Sequence, residues 1–360
     1  MTTLWAQANV ALFIFGLMAI AGVAEESGVI VLVARYAVAR GKGSSKRLFT
    51  VLFLSGATLT ALLSNDATAV LFTPVVYRAV TSRGLPAMPF LFACTFVANT
   101  ASFGLPFANP ANVLVLPRPD LGSYLEHLAL PQLAAIAVNL AVFAFLFRSQ
   151  LTGRYAAPEQ IEEAEHPAAR RTLAVAALVA AAYAVALVYK VPLGPVALLG
   201  AGVMLVTAGA RPREVLRHIA WRTFALLAVL FFVVDELAGA GVFAWALAAL
   251  DAAFRNGALA GVAAAAGGSA FFSALLNNLP VAVVCQYLSV HVHEPASYGL
   301  IAGVDLGPNL LPIGSMSSIL WLGALRKRGV AVDHAAYVRL GALVVPPMLA
   351  VTVLWLWLVR

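Results

Sequence analysis

Long apolar runs recur along this 360-residue chain and restrict the folds open to it. Residues 128–147, 172–189 and 340–359 are examples, and each approaches the roughly 20 apolar residues that carry an α-helix across a bilayer. Hydrophobic residues make up 62% of the chain and charged residues 11%, whereas soluble domains carry roughly 25% charged residues. The runs are continuous, unlike the short alternating segments of a membrane β-barrel. The sequence therefore predicts an all-α polytopic membrane protein.

The basic residues are distributed unevenly between the predicted connections. Clusters at 35–47, 148–171, 211–222 and 326–328 hold most of them. All but four of the 23 Lys and Arg fall on one predicted side, and the four exceptions are Arg118, Lys190, Arg255 and Arg360. Because Lys and Arg concentrate in cytoplasmic loops, the crowded side is cytoplasmic. We expect a multi-pass protein of the cell (inner) membrane, in contact with the lipid bilayer. Its net charge of +7 comes from Lys and Arg in short loops between spans and does not indicate nucleic-acid binding.

The segmentation predicts two halves joined by a soluble linker. Residues 1–150 form the first half, 151–171 a cytoplasmic linker and 172–360 the second half, which has two extra leading spans at 172–189 and 193–209 that the first half lacks. The other predicted segments are 5–34 with a break near Glu25 and Glu26, 48–63, 67–82, 88–117 with an interruption at 104–112, 127–147, 223–250, 257–276, 279–290, 297–325 and 337–359.

Polar interruptions recur in the same order in both halves. The aligned positions are Asn65 and Asp66 with Asn277 and Asn278, Asn99 with Asp305, Asn109 with Ser315, and Glu25 and Glu26 with Asp235 and Glu236. The first pair of short helices has basic outer ends, whereas the second ends at residues 291–294, HVHE, which contain no Lys or Arg. The two pairs therefore open to opposite sides, and such an arrangement indicates two inverted-topology repeats.

The interruptions have a physical explanation. Backbone groups at membrane depth need partners, so broken helices are tolerated only where they line protein or a water-filled cavity. Asn65, Asp66 and Asn278 stand just before helices and can cap them. The alternative is that 48–82 forms two ordinary spans with an outer turn at Ser64. The repeat favours a re-entrant helical hairpin and an interrupted helix in each half.

Four motifs carry a resemblance to a known family. The stretches SNDATAVLFTPVV (64–76), ANTASFGLPFANPANVLVL (98–116), LLNNLPVAVV (275–284) and VDLGPNLLPIGSMSSILWL (304–322) resemble the arsenite/antimonite efflux permeases. That family belongs to the ion transporter superfamily, together with sodium/proton antiporters and di- and tricarboxylate carriers. The resemblance implies inverted repeats, an elevator-like movement and often a dimer. The chain departs from the family pattern in two ways. Members of the family usually begin with two helices that match 172–209, which the first half lacks, and they often carry aspartate at the position of Asn99.

The candidate site residues lie in these motifs. Ionisable groups within membrane segments are costly and point to function. We expect proton or cation coupling at Asp66 and Asp305, and less directly at Glu26 and Asp235. A set of neutral donors and acceptors suits either an uncharged polyhydroxy solute or a cation held by carbonyl oxygens: Asn65, Thr68, Asn99, Thr100, Ser102, Asn109, Asn112, Asn277, Asn278, Asn309, Ser315 and Ser317.

Other classes of function lack their residues. No nucleophile and base, no metal set and no ATP-binding motif is evident, so we expect neither an enzyme nor a cofactor. Cys94 and Cys285 lie in apolar stretches as packing residues, and His291 and His293 in a solvated loop. The sequence predicts a secondary transporter, with arsenite or antimonite efflux coupled to proton entry. A sodium/proton antiporter or an organic-anion carrier is the alternative. A homodimer and an energising ATPase subunit stay open as partners.

Overall fold

The computed structural model describes residues 2–155 and 167–359, and the secondary structure in those ranges is helical apart from one isolated bridge between Ser44 and Arg154. Part of the predicted linker, residues 156–166, lies outside the described ranges. The helices of the first half are α1 (Thr2–Glu26), α2 (Val29–Gly41), α3 (Ser45–Leu62), α4 (Asn65–Ala67), α5 (Thr73–Thr81), α6 (Ala87–Thr100), α7 (Pro110–Val115) and α8 (Leu121–Leu146). The helices that follow are α9 (Ala169–Val188), α10 (Leu193–Ala208), α11 (Pro212–Arg217), α12 (Trp221–Gly239), α13 (Ala244–Arg255), α14 (Ala258–Leu276), α15 (Asn278–Ser289), α16 (Glu294–Leu306), α17 (Met316–Arg326) and α18 (His334–Leu358).

Among the described residues, five helices are long and apolar enough to cross a membrane, and the bent pair α12–α13 makes a sixth candidate. The prediction of one continuous span at 223–250 is wrong. The chain bends by 71° between α12 and α13. Gly241 lies in this break with a φ of 74°, a conformation that favours glycine. The predicted break near Glu25 and Glu26 is confirmed, because α1 ends at Glu26 and α2 begins at Val29.

Each half contains a helical hairpin. In the first, α3 ends at Leu62, and the second arm starts at α4 and continues through a π-helical turn, Thr68–Phe72, into α5. Ser64 caps this arm by accepting a hydrogen bond from the Ala67 amide over 3.2 Å. In the second, α14 and α15 meet at Asn277, which has a φ of 77° and caps α15. The predicted pairs of short helices are confirmed.

Each half also contains an interrupted helix. The chain leaves helical structure after α6 and resumes it at α7, where the Asn109 side chain accepts from the Ala111 amide over 3.0 Å. In the second half, α16 runs into a short 3-10 turn, Gly307–Asn309, and α17 begins after Ser315. The Ser315 hydroxyl accepts from the Ser318 amide over 3.0 Å. Polar caps therefore occupy matching positions in the two breaks.

The hairpin tips show that the repeat alignment is displaced by one residue. The Asn65 amide donates to the Ala108 carbonyl over 3.3 Å, and the Asn278 amide donates to the Gly314 carbonyl over 2.8 Å. Asn65 is thus the counterpart of Asn278 rather than of Asn277, and Asp66 has no acidic counterpart in the second hairpin. The sequence alignment pairs Asn65 with Asn277 because both side chains are amides. In the structure, the helix caps correspond instead, so Ser64 pairs with Asn277.

Small residues bring the second hairpin close to its interrupted helix. At Gly303 of α16, an added β-carbon would overlap the Ala266 carbonyl oxygen, and at Gly307 it would lie 2.7 Å from Ala270 Cα. The extra helices of the second half pack elsewhere: α10 lies against α1, where the Gly194 amide donates to Asn9 Oδ1 over 2.9 Å. The first half therefore uses α9 and α10 as its outer support.

Candidate functional site

Both hairpin tips and the first helix break meet at one cavity with a volume of about 130 Å³. Its polar lining consists of Ser64, Asn65, Asp66, Asn109, His218, Thr223 and Asn278. The apolar lining includes Ile14, Leu17, Met18, Leu71, Met316 and Leu320. None of the residues that line this cavity in the described structure is Lys or Arg. The cavity therefore combines amides, hydroxyls and one carboxylate against an apolar wall.

The three lining asparagines are held in different ways. Asn65 Oδ1 accepts from the Asp66 amide over 2.9 Å, which fixes the side chain at the start of the helix. Asn109 caps α7 and also donates from Nδ2 to Asp305 Oδ1 over 2.7 Å. Asn278 is 3% exposed, and its Oδ1 has no hydrogen-bond partner among the described residues. A buried acceptor without a partner is costly, so Asn278 Oδ1 is an available group for a bound solute.

Asp66 joins the first hairpin to the second helix break. Ser317, in the first turn of α17, donates its hydroxyl to Asp66 Oδ1. The carboxylate lies two residues after the Ser64 cap, where the positive end of the helix favours a negative charge. Ser317 itself is buried and does not line the cavity. Any group that displaces Ser317 from Asp66 would alter a contact between the two halves.

Asp305 lies behind the cavity in a buried polar network. It is 1% exposed and accepts from Ser102 Oγ at 2.5 Å and from Asn109 Nδ2 at 2.7 Å. Both donors belong to the break of the first half, whereas Asp305 belongs to α16 of the second. Because Asn109 also lines the cavity, Asp305 is one side chain removed from it.

A second network repeats this pattern with the halves exchanged. Ser315, the cap of α17, donates to Asn99 Oδ1 over 3.3 Å. Asn99 Nδ2 donates to Asn309 Oδ1 over 3.1 Å, and Asn309 Nδ2 donates to Thr100 Oγ1 over 3.2 Å. Asn99 takes the place of Asp305 in this pattern, so the second network is neutral. The structure thus brings Asn99, Thr100, Asn309 and Ser315 together, away from the cavity lining.

Three further predicted residues support the local backbone. Thr68 accepts from Thr60 Oγ1 over 3.0 Å and donates to the Ser64 carbonyl over 3.2 Å within the first hairpin. Asn112 donates to the Ser102 carbonyl over 2.8 Å. Asn277 donates to the Ile313 carbonyl over 3.1 Å. Thr68, Asn112 and Asn277 do not line the cavity.

The two acidic pairs differ in their surroundings. Glu25 and Glu26, at the end of α1, face His218, with 2.9 Å between His218 Nδ1 and Glu25 Oε2 and 3.7 Å between His218 Nε2 and Glu26 Oε1. The hydrogen bond to Glu25 raises the pKa of His218 above its ordinary 6.5, although partial burial of the ring opposes this. Asp235 is exposed on α12 and does not line the cavity.

Sequence reasoning missed several lining residues. His218 lies in a basic loop and Thr223 at the start of a predicted apolar span, and neither breaks a helical pattern. Ser64 enters the sequence argument only in the alternative of an outer turn. Met18 and Met316 carry no polar signal at all. Only the proximity of α1, α11 and α12 to the hairpin tips in the structure identifies these positions.

Comparisons with known proteins agree with this architecture. A family model described as Citrate transporter, CitMHS, matches residues 2–314. The arsenical pump membrane protein of Escherichia coli (strain K12) is 28% identical over 348 residues, covering 91% of this chain and 81% of that protein. An uncharacterized transporter of Mycobacterium tuberculosis (strain ATCC 25618 / H37Rv) is 29% identical over 367 residues, covering 97% and 86%. The resemblance to arsenite permeases is therefore confirmed.

A solved structure has the same fold. The YdaH transporter of Alcanivorax borkumensis, described as having an unusual topology, superposes with a TM-score of 0.62 at 15% identity, over 100% of this chain and 86% of that one. The family model covers most of the chain, and the described helices include several that can cross a membrane. The chain belongs to the CitMHS citrate transporter family and is a multi-pass membrane protein built as a secondary transporter.

Proposed function

We propose that this protein exports arsenite or antimonite in exchange for protons. The observation that carries the proposal is the cavity between the hairpin tips, which is lined by amides, hydroxyls, one carboxylate and the His218 imidazole, with no Lys or Arg among the described lining residues. Neutral donors and acceptors suit an uncharged trihydroxy solute. The volume of about 130 Å³ is well below the roughly 300–1,000 Å³ of sites for drug-sized ligands. A solute of a few heavy atoms fits these dimensions.

Asp66 is the proposed coupling residue. In its ionised form it accepts the Ser317 hydroxyl and so connects the two halves at the edge of the cavity. A proton on Asp66 would turn one carboxylate oxygen into a donor and change this contact. Proton and solute then compete for the same polar surface, which is the requirement for exchange. Asp305 is proposed as a second proton-sensitive group, because it acts on the cavity through Asn109.

Two methionines support the arsenite assignment. Met18 of α1 and Met316 of α17 line the cavity from different halves. Their thioethers are soft and polarizable, and trivalent arsenic and antimony are soft centres that favour sulfur. Cys94 and Cys285 are buried and do not line the cavity, so we assign them no role in binding.

An organic anion is the second candidate, and the description of the family model favours it. Two helices of the hairpins, starting at Asn65 and Asn278, direct their N-termini at the cavity, and N-termini attract anions. However, Asp66 would face the anion, and among the described lining residues His218 is the one basic side chain that could offset its charge. The protein could instead be a sodium/proton antiporter. In that case Asp66 and Asp305 would be the charged ligands of the cation, and the oxygen atoms of the asparagine amides would be its neutral ligands.

Transport into everted membrane vesicles tests these alternatives. The vesicles are energised to an acidic interior, and uptake of arsenite, sodium and citrate is measured separately, with collapse of the pH gradient by an ionophore as the control. We expect gradient-dependent arsenite uptake that Asp66→Asn abolishes. Citrate uptake without arsenite uptake, or sodium-driven proton movement alone, would refute the arsenite proposal and support the corresponding alternative.

We also propose that the halves 1–150 and 172–360 are the functional units, with 151–171 as their cytoplasmic linker. In this arrangement the contacts Asp66–Ser317 and Asn109–Asp305 cross between the units. The experiment is coexpression of the two halves as separate chains, and copurification is the expected result.

A further inference from the structure

A histidine lies between the cavity and the solvent. His218 follows α11 in the connection between α10 and α12, and it lines the cavity together with the buried residues Asn65, Asn109 and Asn278. Its side chain is 29% exposed, and the side chains of Glu25 and Glu26 are 41% and 36% exposed. His218 therefore lies at the edge of the cavity, and Glu25 and Glu26 contact it from outside the lining.

The same residue fixes α11 against α1. A β-carbon on Gly22 would lie 3.2 Å from His218 Cβ and 3.3 Å from a Val215 methyl carbon, so the two helices approach closely at this point. Glu25 and Glu26 are the last residues of α1, immediately before its break. A contact between His218 and these carboxylates joins the end of α1 to the entrance of α12, where Thr223 also lines the cavity.

Two carboxylates lie next to the His218 ring. Nδ1 is 2.9 Å from Glu25 Oε2, and Nε2 is 3.7 Å from Glu26 Oε1. Only the protonated ring presents N–H donors on both nitrogens, because neutral histidine has one donor and one acceptor. Loss of the proton would remove the ring's positive charge and leave Nε2 as an acceptor 3.7 Å from Glu26 Oε1, while a neutral ring could still donate from Nδ1 to Glu25. Protonation therefore strengthens the contact with both carboxylates.

We propose that His218 is a proton-operated gate: the protonated ring binds Glu25 and Glu26 and narrows the mouth of the cavity, and the neutral ring releases α11 and widens it. The gate is separate from the coupling carboxylates and acts whichever solute is transported. Protons on the cytoplasmic side, where the basic loop 211–222 is predicted to lie, would thereby restrict access to the cavity.

The charges around the ring agree with this assignment. Glu25 and Glu26 face it from α1, and Asp66 of the first hairpin lines the same cavity. On its own helix, Arg217 is paired with Glu214 at 2.5 Å. The acidic neighbours favour the charged ring, and they hold the pKa of His218 above its ordinary value. The ring should therefore lose its proton at a pH above the ordinary pKa of histidine.

Accessibility of an introduced cysteine tests the gate without any transported solute. Leu320 lines the cavity and is 41% exposed, and Leu320→Cys is labelled with a membrane-impermeant maleimide in everted vesicles. The native Cys94 and Cys285 are buried. Ser149→Cys, at an exposed site outside the cavity, corrects for the effect of pH on thiol reactivity. The measured quantity is the ratio of the two labelling rates.

When His218 is present, we expect this ratio to rise at least about fivefold between about pH 5.5 and about pH 8.5. A fivefold change is at the lower end of typical coupling between two sites in a protein. His218→Gln, which cannot become charged, should give a high ratio at both pH values. His218→Arg, which stays charged, should give a low ratio at both. If His218 had a purely structural role, His218→Gln and His218→Arg would give the same labelling ratio.

Two results overturn the proposal: an unchanged pH dependence in His218→Gln, or equal ratios in the Arg and Gln variants. The combined variant Glu25→Gln, Glu26→Gln reaches the same contact from α1 and should match His218→Gln. If a His218 variant does not reach the membrane, pH dependence retained in the glutamine pair is sufficient to reject the gate. Because no solute is involved, this outcome is independent of the arsenite assay.

Discussion

Asn109, the cap of α7, donates to Asp305 across 2.7 Å, and so binds the break of the first half to α16 of the second. The reciprocal contact is made by Ser315, the cap of α17, which donates to Asn99 of α6 over 3.3 Å. Each break is thus anchored by the helix of the opposite half. The halves are connected by two equivalent contacts, of which only one carries an acid.

Asp66→Asn should abolish gradient-dependent uptake while leaving the fold intact. The amide keeps the shape of the carboxylate and one acceptor for Ser317, but it cannot bind and release a proton at accessible pH. Arsenite uptake in everted vesicles is the measurement. Asp235→Asn is the matched control, because Asp235 is exposed and does not line the cavity, and it should transport like the unaltered protein. Equal losses in both variants would contradict this assignment.

Asp305→Ala should lower the stability of the protein. Two buried donors, Ser102 Oγ and Asn109 Nδ2, would lose their acceptor, and each unsatisfied donor costs about 1–3 kcal/mol. The measurement is the melting temperature in detergent, monitored by size-exclusion chromatography. Asp305→Asn retains an acceptor for Asn109, so its melting temperature should lie between those of the unaltered protein and Asp305→Ala. An Ala variant as stable as the unaltered protein would mean that this network adds nothing.

Asn278→Ala should weaken solute binding without weakening the fold. Its Oδ1 has no partner among the described residues, so removing this oxygen breaks no hydrogen bond of the described fold. A lost neutral hydrogen bond to the solute, worth about 1 kcal/mol, predicts a KM roughly fivefold higher. The neighbouring Asn277→Ala is the contrast: it removes the cap of α15, which costs about 1 kcal/mol of stability. Unchanged KM in Asn278→Ala would remove this residue from the site.

Gly303→Ala should separate the second hairpin from α16. The added methyl group would overlap the Ala266 carbonyl oxygen, and overpacking of this kind costs about 1–3 kcal/mol. Gly267→Ala, on α14, adds the same group where nothing lies within 4 Å and serves as the control. Melting temperatures should fall for the first variant only. Equal behaviour of the two glycines would show that the close approach is not required.

Stability should decrease as the pH rises past neutrality, through the contact of His218 with Glu25. The pKa of His218 is raised in the folded protein, so the contact stabilises fully below the unfolded value of about 6.5 and is lost as the pH rises through the folded value. Melting temperatures of the unaltered protein and of His218→Gln should therefore converge at alkaline pH. A difference that grows with pH would have the wrong sign.

The hairpins and breaks could be predicted because their signals are local. Asn65, Asp66, Asn277 and Asn278 interrupt apolar runs, and caps followed by helices have a known pattern. The bend after Gly239 carried a weaker signal, since a pair of glycines in an apolar helix is common in membranes. The one-residue displacement of the hairpins could not be found, because identical side chains masked the difference in backbone position.

The members of the site depend on contacts between distant segments. Asp305 and Ser102 are 203 positions apart and are still hydrogen bonded. Sequence analysis identified these residues as polar and intramembrane, but it could not separate Asn278, which lines the cavity, from Asn309, which lies behind it. His218 illustrates the converse case. Nothing in its own loop distinguishes it, and its position follows only from how α11 lies on α1.

A π-helical turn at Thr68–Phe72 interrupts the second arm of the first hairpin, whereas the corresponding arm of the second hairpin, α15, is α-helical over its whole length. In the exchange proposed above, two identical units would give the inward-facing and outward-facing states the same free energy at rest. Unequal arms remove that equality, so the proposed transporter would favour one of its two states before any gradient acts.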